Sequence, residues 1–468
     1  MIIKGCYYCW CTGGYNIKKA PIKSEMSQVT AGSRPRPVWT SQRAYILASV
    51  AGVVGLGNLW RFPYMAGQNG GGTFVLTYAI CILALGIPLY VLEASAGKLA
   101  NRGPVGLFRR INPRWGPWAG WFLVVMTMVI MSYYLVVSGW TLGYAVDAIR
   151  VDLKPFDEFT AGFSSLWFFL ATATLTLAIL MRGIGGIERM SKILLPLLVL
   201  VVGGLAIYSQ TLPGGGQARD FYFSFDLATF LEPRTWQMGA GQAFYSLAIG
   251  QGFLITYGSY SSKGFNIVKS STAVALTNSI ISITAGLMVF PIVFTFGIAP
   301  DAGSQLSFTA FPKIFGELPG GLFIGIAFYV LLFVAAFTSC VGGMTVALAP
   351  IRDEFHISRR RAALIAVAIV TALGIPSALS FTSMGLTIGG KPFLDVMDQI
   401  AGSGVVLVAG IVGAALIAWM LPGDRLVRAI NAAPRRLGPI MFSSRWIISV
   451  GRYLPLAAAA LLLFIYLV

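Results

Sequence analysis

Long apolar runs separated by polar connections recur along the chain, at 41 to 67, 72 to 97, 117 to 148, 163 to 181, 191 to 210, 236 to 260, 271 to 298, 320 to 350, 362 to 381, 392 to 421 and 446 to 467. An α-helix needs about 20 apolar residues to cross a bilayer, so the pattern predicts an all-α polytopic membrane protein of about eleven transmembrane helices. Connections are short apart from 211 to 235 and 299 to 319. The chain therefore divides into a tail over 1–38, a ten-helix core over 39–422, and a loop with the eleventh helix over 423–468.

Two runs are interrupted at mid-depth. The first reads Ala51-Gly-Val-Val-Gly-Leu-Gly-Asn-Leu-Trp-Arg-Phe-Pro63, where glycine and proline both weaken helical hydrogen bonding. The sixth reads Gly241-Gln-Ala-Phe-Tyr-Ser-Leu-Ala-Ile-Gly-Gln-Gly-Phe253, with a break expected near 246 to 250. Backbone groups freed in hydrocarbon are costly unless they line a cavity or a site, although glycines also serve close helix packing. Each interrupted run opens a set of five, as an inverted repeat of helices 1 to 5 and 6 to 10 requires. Half-helix ends offer free amides to anions and free carbonyls to cations, so one such region can hold both.

Composition agrees: 56% of residues are hydrophobic, 11% are charged and the mean hydropathy is +0.76. A net charge of +17 raises nucleic acid as a partner, but the distribution of the basic residues argues for membrane orientation instead. With residues at span ends assigned to the adjoining loop, 26 Lys and Arg fall on the side of the N-terminal tail and six on the other, leaving Arg61 and Arg452 inside spans. The expectation is a multi-pass plasma-membrane protein with a cytoplasmic N-terminus and, from the odd helix number, an extracellular or periplasmic C-terminus.

Cys6, Cys9 and Cys11 crowd the tail without a second cluster to complete a metal site, and Cys81 and Cys340 lie within apolar runs. No cleavable signal peptide is visible. Met26 opens a plain polar lead that would suit a true start, which leaves open whether residues 1–25 belong to the mature protein.

Polar side chains inside the runs are the candidates for chemistry. Glu93 has two readings, an acceptor for backbone released by a neighbouring broken helix or a proton carrier. Tyr78, Tyr133, Tyr134, Asn278, Ser282, Thr338 and Ser339 supply neutral oxygens. Gly186 and Pro196 bracket a helix start that can unwind or serve as a cap and a kink. No nucleophile with a base, no His or Cys metal set and no paired carboxylates occur within the runs, which argues against an enzyme.

Gly55-Leu-Gly-Asn-Leu-Trp-Arg-Phe-Pro63, Asn69-Gly-Gly-Gly72, Gly86-Ile-Pro88 with Glu93, Ser132-Tyr-Tyr134, Ser138-Gly-Trp140 and Ala336-Phe-Thr-Ser339 together resemble the neurotransmitter:sodium symporter family. The likeness runs from about Arg36 to the end of the tenth run. The twelfth helix of many relatives is absent, as in a number of bacterial members.

That resemblance implies sodium-coupled import of an amino acid by alternating access, with two sodium ions. The first ion would be held by the Val53 carbonyl, Asn58, Ser246, Asn278 and the substrate carboxylate. Carbonyls of Ala51, Val54 and Ala335 with the hydroxyls of Thr338 and Ser339 would hold the second. The substrate carboxylate would rest on the amides around Leu56 and Gly57 and on Tyr134. Relatives that take monoamines place an aspartate where this chain has Gly55, so the substrate should bring its own carboxylate. Ile130, Tyr245, Ala248, Gln251, Ser339 and Gly343 would line the side-chain pocket, which favours a neutral, large apolar or aromatic amino acid.

Chloride would sit among Tyr78, Gln242, Ser246 and Ser282, where no acid compensates a sodium ion. Arg61 with Asp398, and Tyr245 as a lid, would close the outer vestibule; Arg36 with Asp353, helped by Trp39 and Tyr260, would close the inner one. The Gly186 to Pro196 stretch matches a helix motif that unwinds in relatives. Competing readings are an amino-acid sensor on the same scaffold and a proton-coupled transporter, which would need a carboxylate at the second sodium site.

Overall fold

The computed structural model describes residues 38–467 apart from 263, 301–310, 312–314, 316–319 and 432–442, and the chain within these bounds is almost entirely helical. Among the described residues, eight helices are long and apolar enough to cross a membrane: Gly72–Ala100, Gly116–Arg150, Ser164–Met181, Gly183–Ser209, Ile267–Thr295, Gly321–Glu354, Arg359–Leu379 and Phe393–Met420. They correspond to the second to fifth and seventh to tenth apolar runs. The first run is a bent pair, Gln42–Val53 and Gly57–Gln68, turned through 54° at the break. The sixth run is divided into Pro233–Ser246 and Phe253–Gly258, and Ser444–Leu467 forms the eleventh.

Local chemistry sets the ends. The Ser41 hydroxyl accepts from the Ala44 amide at 3.1 Å, and Asn266 and Ser358 cap the seventh and ninth spans in the same way. The second span ends on Asn101 in the left-handed region.

The third span forms the centre of the bundle, with 83% of its apolar window buried. The second span crosses the far half of the sixth backbone to backbone. A Cβ on Gly97 would lie 2.0 Å from the Ile255 carbonyl oxygen, and one on Gly258 would lie 2.3 Å from that of Ala94. Only glycines admit this approach, which brings Glu93 against the sixth-span break.

The fifth span is one continuous helix from Gly183 to Ser209 with Pro196 inside it, so the Gly186 to Pro196 stretch is wound here. Arg36, Cys6, Cys9 and Cys11, and most of 299 to 319, lie outside the described residues.

Candidate functional site

The first helix stops at Val53 because Val54 adopts extended backbone, with ψ at 109°. Helix resumes as a wide turn over Gly57–Arg61 before Pro63. The amides freed between them are taken up by side chains. Gly55 donates to Asn58 Oδ1 at 3.0 Å, and Leu56 donates to the Tyr134 hydroxyl at 2.9 Å. Asn58 reaches on to Asn278 Oδ1 at 2.8 Å and Ser282 Oγ at 2.7 Å, which ties the break to the seventh span. Ser339 Oγ donates to the Val54 carbonyl at 3.2 Å and ties it to the eighth.

The sixth span unwinds over Leu247 to Gly252, where Ala248, Gly250 and Gly252 all have positive φ. Gly250 is confined twice: φ is 79°, and a Cβ would lie 2.3 Å from the Gly410 amide nitrogen. Its own amide donates to Glu93 Oε1 at 2.9 Å. Glu93 thus serves as an acceptor for backbone released by the break.

The two breaks enclose a small cavity of about 40 Å³, room for only a few waters. Of the residues expected to meet substrate, Val53, Gly57, Ile130, Tyr134, Tyr245, Ser246, Ala248, Gln251, Ser339 and Gly343 line it. Leu56 stands behind, facing Tyr134 through its amide. Met131 and Phe253 also line the cavity, and sequence reasoning missed both. Their apolar side chains in apolar spans carry no distinguishing signal. Met131 fills the space that Gly343 leaves, since a Cβ on Gly343 would lie 2.3 Å from its sulfur.

Beside the cavity lie two sets of neutral oxygens. Thr338 Oγ1 is 3.0 Å from the Val334 carbonyl and 3.1 Å from that of Ala335, next to the Ser339 contact with Val54. Ala51 is buried at the end of the same first helix. The second set is Asn58, Asn278 and Ser246, all buried, with the Val53 end of the helix opposite. Among the described residues no group of three or more His, Cys, Asp or Glu is placed to hold a metal. Such sites suit a hard cation that accepts carbonyl, amide and hydroxyl oxygens.

Adjoining this second set, the Tyr78 hydroxyl lies 3.2 Å from Ser246 Oγ and 3.4 Å from Ser279 Oγ, within reach of Ser282 and Asn278. Asn278 Nδ2 is buried with no hydrogen-bond partner. Gln242 donates to the Gly57 carbonyl at 2.8 Å and accepts from Arg61. Ser279 was not singled out from the sequence, where its hydroxyl looks like any other in a membrane helix.

Arg61 and Asp398 are not among the ion pairs within 4 Å in the described residues. The guanidinium instead lies 4.8 Å above the Tyr245 ring and on Gln242, while Asp398 stands close to the Tyr133 hydroxyl. At the opposite end, Asp353 pairs with Arg352 at 2.6 Å and lies 3.9 Å from Arg102; Arg36 is outside the described residues. Trp39 closes over the end of the sixth span, its indole N–H donating to the Tyr257 carbonyl at 3.0 Å and its amide to that of Tyr260 at 3.0 Å.

The chain is similar to known proteins. The profile of the sodium:neurotransmitter symporter family matches residues 36–166 and 163–464. An uncharacterised sodium-dependent transporter of Haemophilus influenzae is 31% identical over 421 residues, covering 85% of this chain and 92% of its own. The sodium- and chloride-dependent GABA transporter 2 of Rattus norvegicus is 27% identical over 474 residues, covering 88% of this chain and 77% of its own. The crystal structure of MhsT in complex with L-phenylalanine is similar at a TM-score of 0.83 and 35% identity, over 92% of this chain and 99% of that one.

Proposed function

The chain belongs to the sodium:neurotransmitter symporter family, whose members couple transport to sodium, and from that premise we propose that it imports a neutral amino acid with a large apolar or aromatic side chain. The observation that carries this reading is position 55. A Cβ there would lie 2.3 Å from the Tyr134 hydroxyl and 2.5 Å from Ser339 Oγ, so no side-chain carboxylate fits at the break. In this reading the substrate supplies its own carboxylate at the break, next to the Gly57 backbone and taking a hydrogen bond from the Tyr134 hydroxyl, whose oxygen already accepts from the Leu56 amide. The walls around it are largely apolar, with Gln251 as the amide exception. The L-phenylalanine in the crystal structure of MhsT, to which this chain is similar, is a ligand of this class.

In this reading the first sodium is held by Val53, Asn58, Ser246, Asn278 and the substrate carboxylate, and the second by Ala51, Val54, Ala335, Thr338 and Ser339. Binding of substrate and ions together draws the half-helices closed, and Arg61 above Tyr245 covers the outer path. The potential contributes about 2.3 kcal/mol per charge per 100 mV as sodium moves inward. The side bearing most Lys and Arg is cytoplasmic.

Chloride belongs to the proposal on electrostatic grounds. Tyr78, Gln242, Ser246 and Ser282, with the unpartnered amide of Asn278, form a buried group of neutral side chains that shares Ser246 and Asn278 with the first sodium set. A cation enclosed by neutral ligands gains from a nearby anion in a low-dielectric interior.

The test is uptake of labelled phenylalanine, tryptophan, leucine and glycine into proteoliposomes under an inward sodium gradient, with chloride or gluconate outside. Sodium-driven accumulation of the large side chains supports the proposal, and its loss in gluconate supports the anion. Accumulation restricted to glycine, or binding without accumulation, would sink the substrate assignment or the transport step respectively.

A further inference from the structure

The fourth and fifth spans face outward, with only 33% of the apolar window of each buried. Where they meet, a cleft of about 560 Å³ opens between the end of the fourth span, the first turns of the fifth and the eighth. Its walls include Ile179, Met190, Ile193 and Phe337, and Gly185 leaves it open, since nothing lies within 4 Å of a Cβ built there. Arg182 and Arg189 also line it. Neither has a carboxylate within 4 Å among the described residues. Glu188, between them in sequence, is turned away onto Thr40, accepting from its amide at 2.8 Å and its hydroxyl at 2.7 Å.

From Arg189 the same helix face runs on as Ile193, Leu197 and Leu200, which are 63%, 40% and 73% exposed. Positions 189 to 200 rise about 16 Å along a helix, close to the depth that one acyl chain occupies. Charge and apolar surface are thus segregated along one line: two unpaired guanidiniums at the membrane margin, then an apolar cleft and stripe leading inward. Arg359 adds to the margin, its Nε donating to the Leu180 carbonyl at 3.0 Å.

We propose that this cleft binds an anionic phospholipid, with the headgroup phosphate on Arg182 and Arg189 and an acyl chain along the cleft and Ile193. Guanidinium pairs phosphate oxygens in a fork, and a basic cluster next to a bilayer selects anionic over zwitterionic lipid. The apolar wall explains why the occupant is a lipid rather than a free anion. The binding stands apart from the transport reading, because it needs only a membrane around the chain.

The test is native mass spectrometry of the full chain in mild detergent, incubated with dioleoyl phosphatidylglycerol or dioleoyl phosphatidylcholine. The wild type should retain the anionic lipid in preference. Arg182→Gln with Arg189→Gln should reduce that preference by about fivefold per arginine. Gly185→Phe should fill the cleft and lower retention with both arginines intact, its thermal midpoint near that of the wild type. Arg425→Gln with Arg428→Gln, remote in sequence from the cleft, should change nothing. Equal losses from this control pair, or unchanged retention in Gly185→Phe, would reduce the effect to surface charge and overturn the site.

Discussion

The Tyr134 hydroxyl lies 2.9 Å from the Leu56 amide and accepts a hydrogen bond from backbone that the first-span break leaves free. Both residues are buried, so the contact sits where an unmade hydrogen bond costs about 1–3 kcal/mol. Tyr134→Phe keeps the ring and removes the acceptor. In the proposed transporter the same hydroxyl also donates to the substrate carboxylate. Tyr134→Phe should therefore raise the apparent KM for the amino acid by roughly five- to 150-fold. Uptake kinetics in proteoliposomes decide it; an unchanged KM would remove Tyr134 from the substrate site.

Gly343 and Met131 share one space, since a Cβ at 343 would lie 2.3 Å from the Met131 sulfur. The thioether is flexible and can shift, but only into a cavity that is already small. Gly343→Ala should weaken uptake of the largest side chains relative to smaller ones, and Met131→Ala should do the reverse. Their combination should return the preference toward that of the wild type, as neighbours sharing one cavity are non-additive. Competition of tryptophan against leucine measures the ratio; strict additivity of the two substitutions would show that they act separately.

The apolar runs were legible because a membrane helix must be long and uniformly apolar, and ten of the spans begin and end within a few residues of the pattern. The first break was legible because glycine, asparagine and proline cluster there. In the sixth span Gly250 and Gly252 mark the break, but Ala248 adopts positive φ at 54° with nothing in its residue type to announce it. Gln242 illustrates a different limit. The resemblance assigns it to the anion group, and its side chain also bonds the Gly57 carbonyl and Arg61, a contact between distant elements that no local pattern encodes. Met131 and Phe253 were invisible for a third reason, being ordinary apolar residues whose role depends on what they face.

Ser282 tests the anion. Asn58 donates to its hydroxyl at 2.7 Å, and Tyr78 and Asn278 lie around it, with no acid in the group. A carboxylate fixed at 282 would supply the negative charge that chloride is proposed to bring. Ser282→Glu, or the shorter Ser282→Asp, should sustain sodium-dependent uptake in gluconate. If both variants still require chloride while the wild type does too, the anion binds elsewhere; if the wild type is indifferent to gluconate, the chloride proposal falls.

Arg61 and Asp398 separate two accounts of how the outer path is held. The guanidinium lies on the Tyr245 ring and on Gln242 and forms no ion pair within 4 Å of Asp398, so in this conformation the ring and the amide are its partners. A cation over an aromatic face contributes about 0.5–2 kcal/mol, more when desolvated. Lysine keeps the charge but loses the planar fork that meets the ring and Gln242 together. Arg61→Lys should therefore speed dissociation of bound amino acid by roughly two- to 30-fold, within that range of energies. Asp398→Asn should change the rate far less, because it removes a charge that the guanidinium does not touch here. Release of labelled substrate after dilution of the purified protein gives both rates. Faster release from Asp398→Asn than from Arg61→Lys would mean that a direct ion pair, formed in another conformation, holds the path closed.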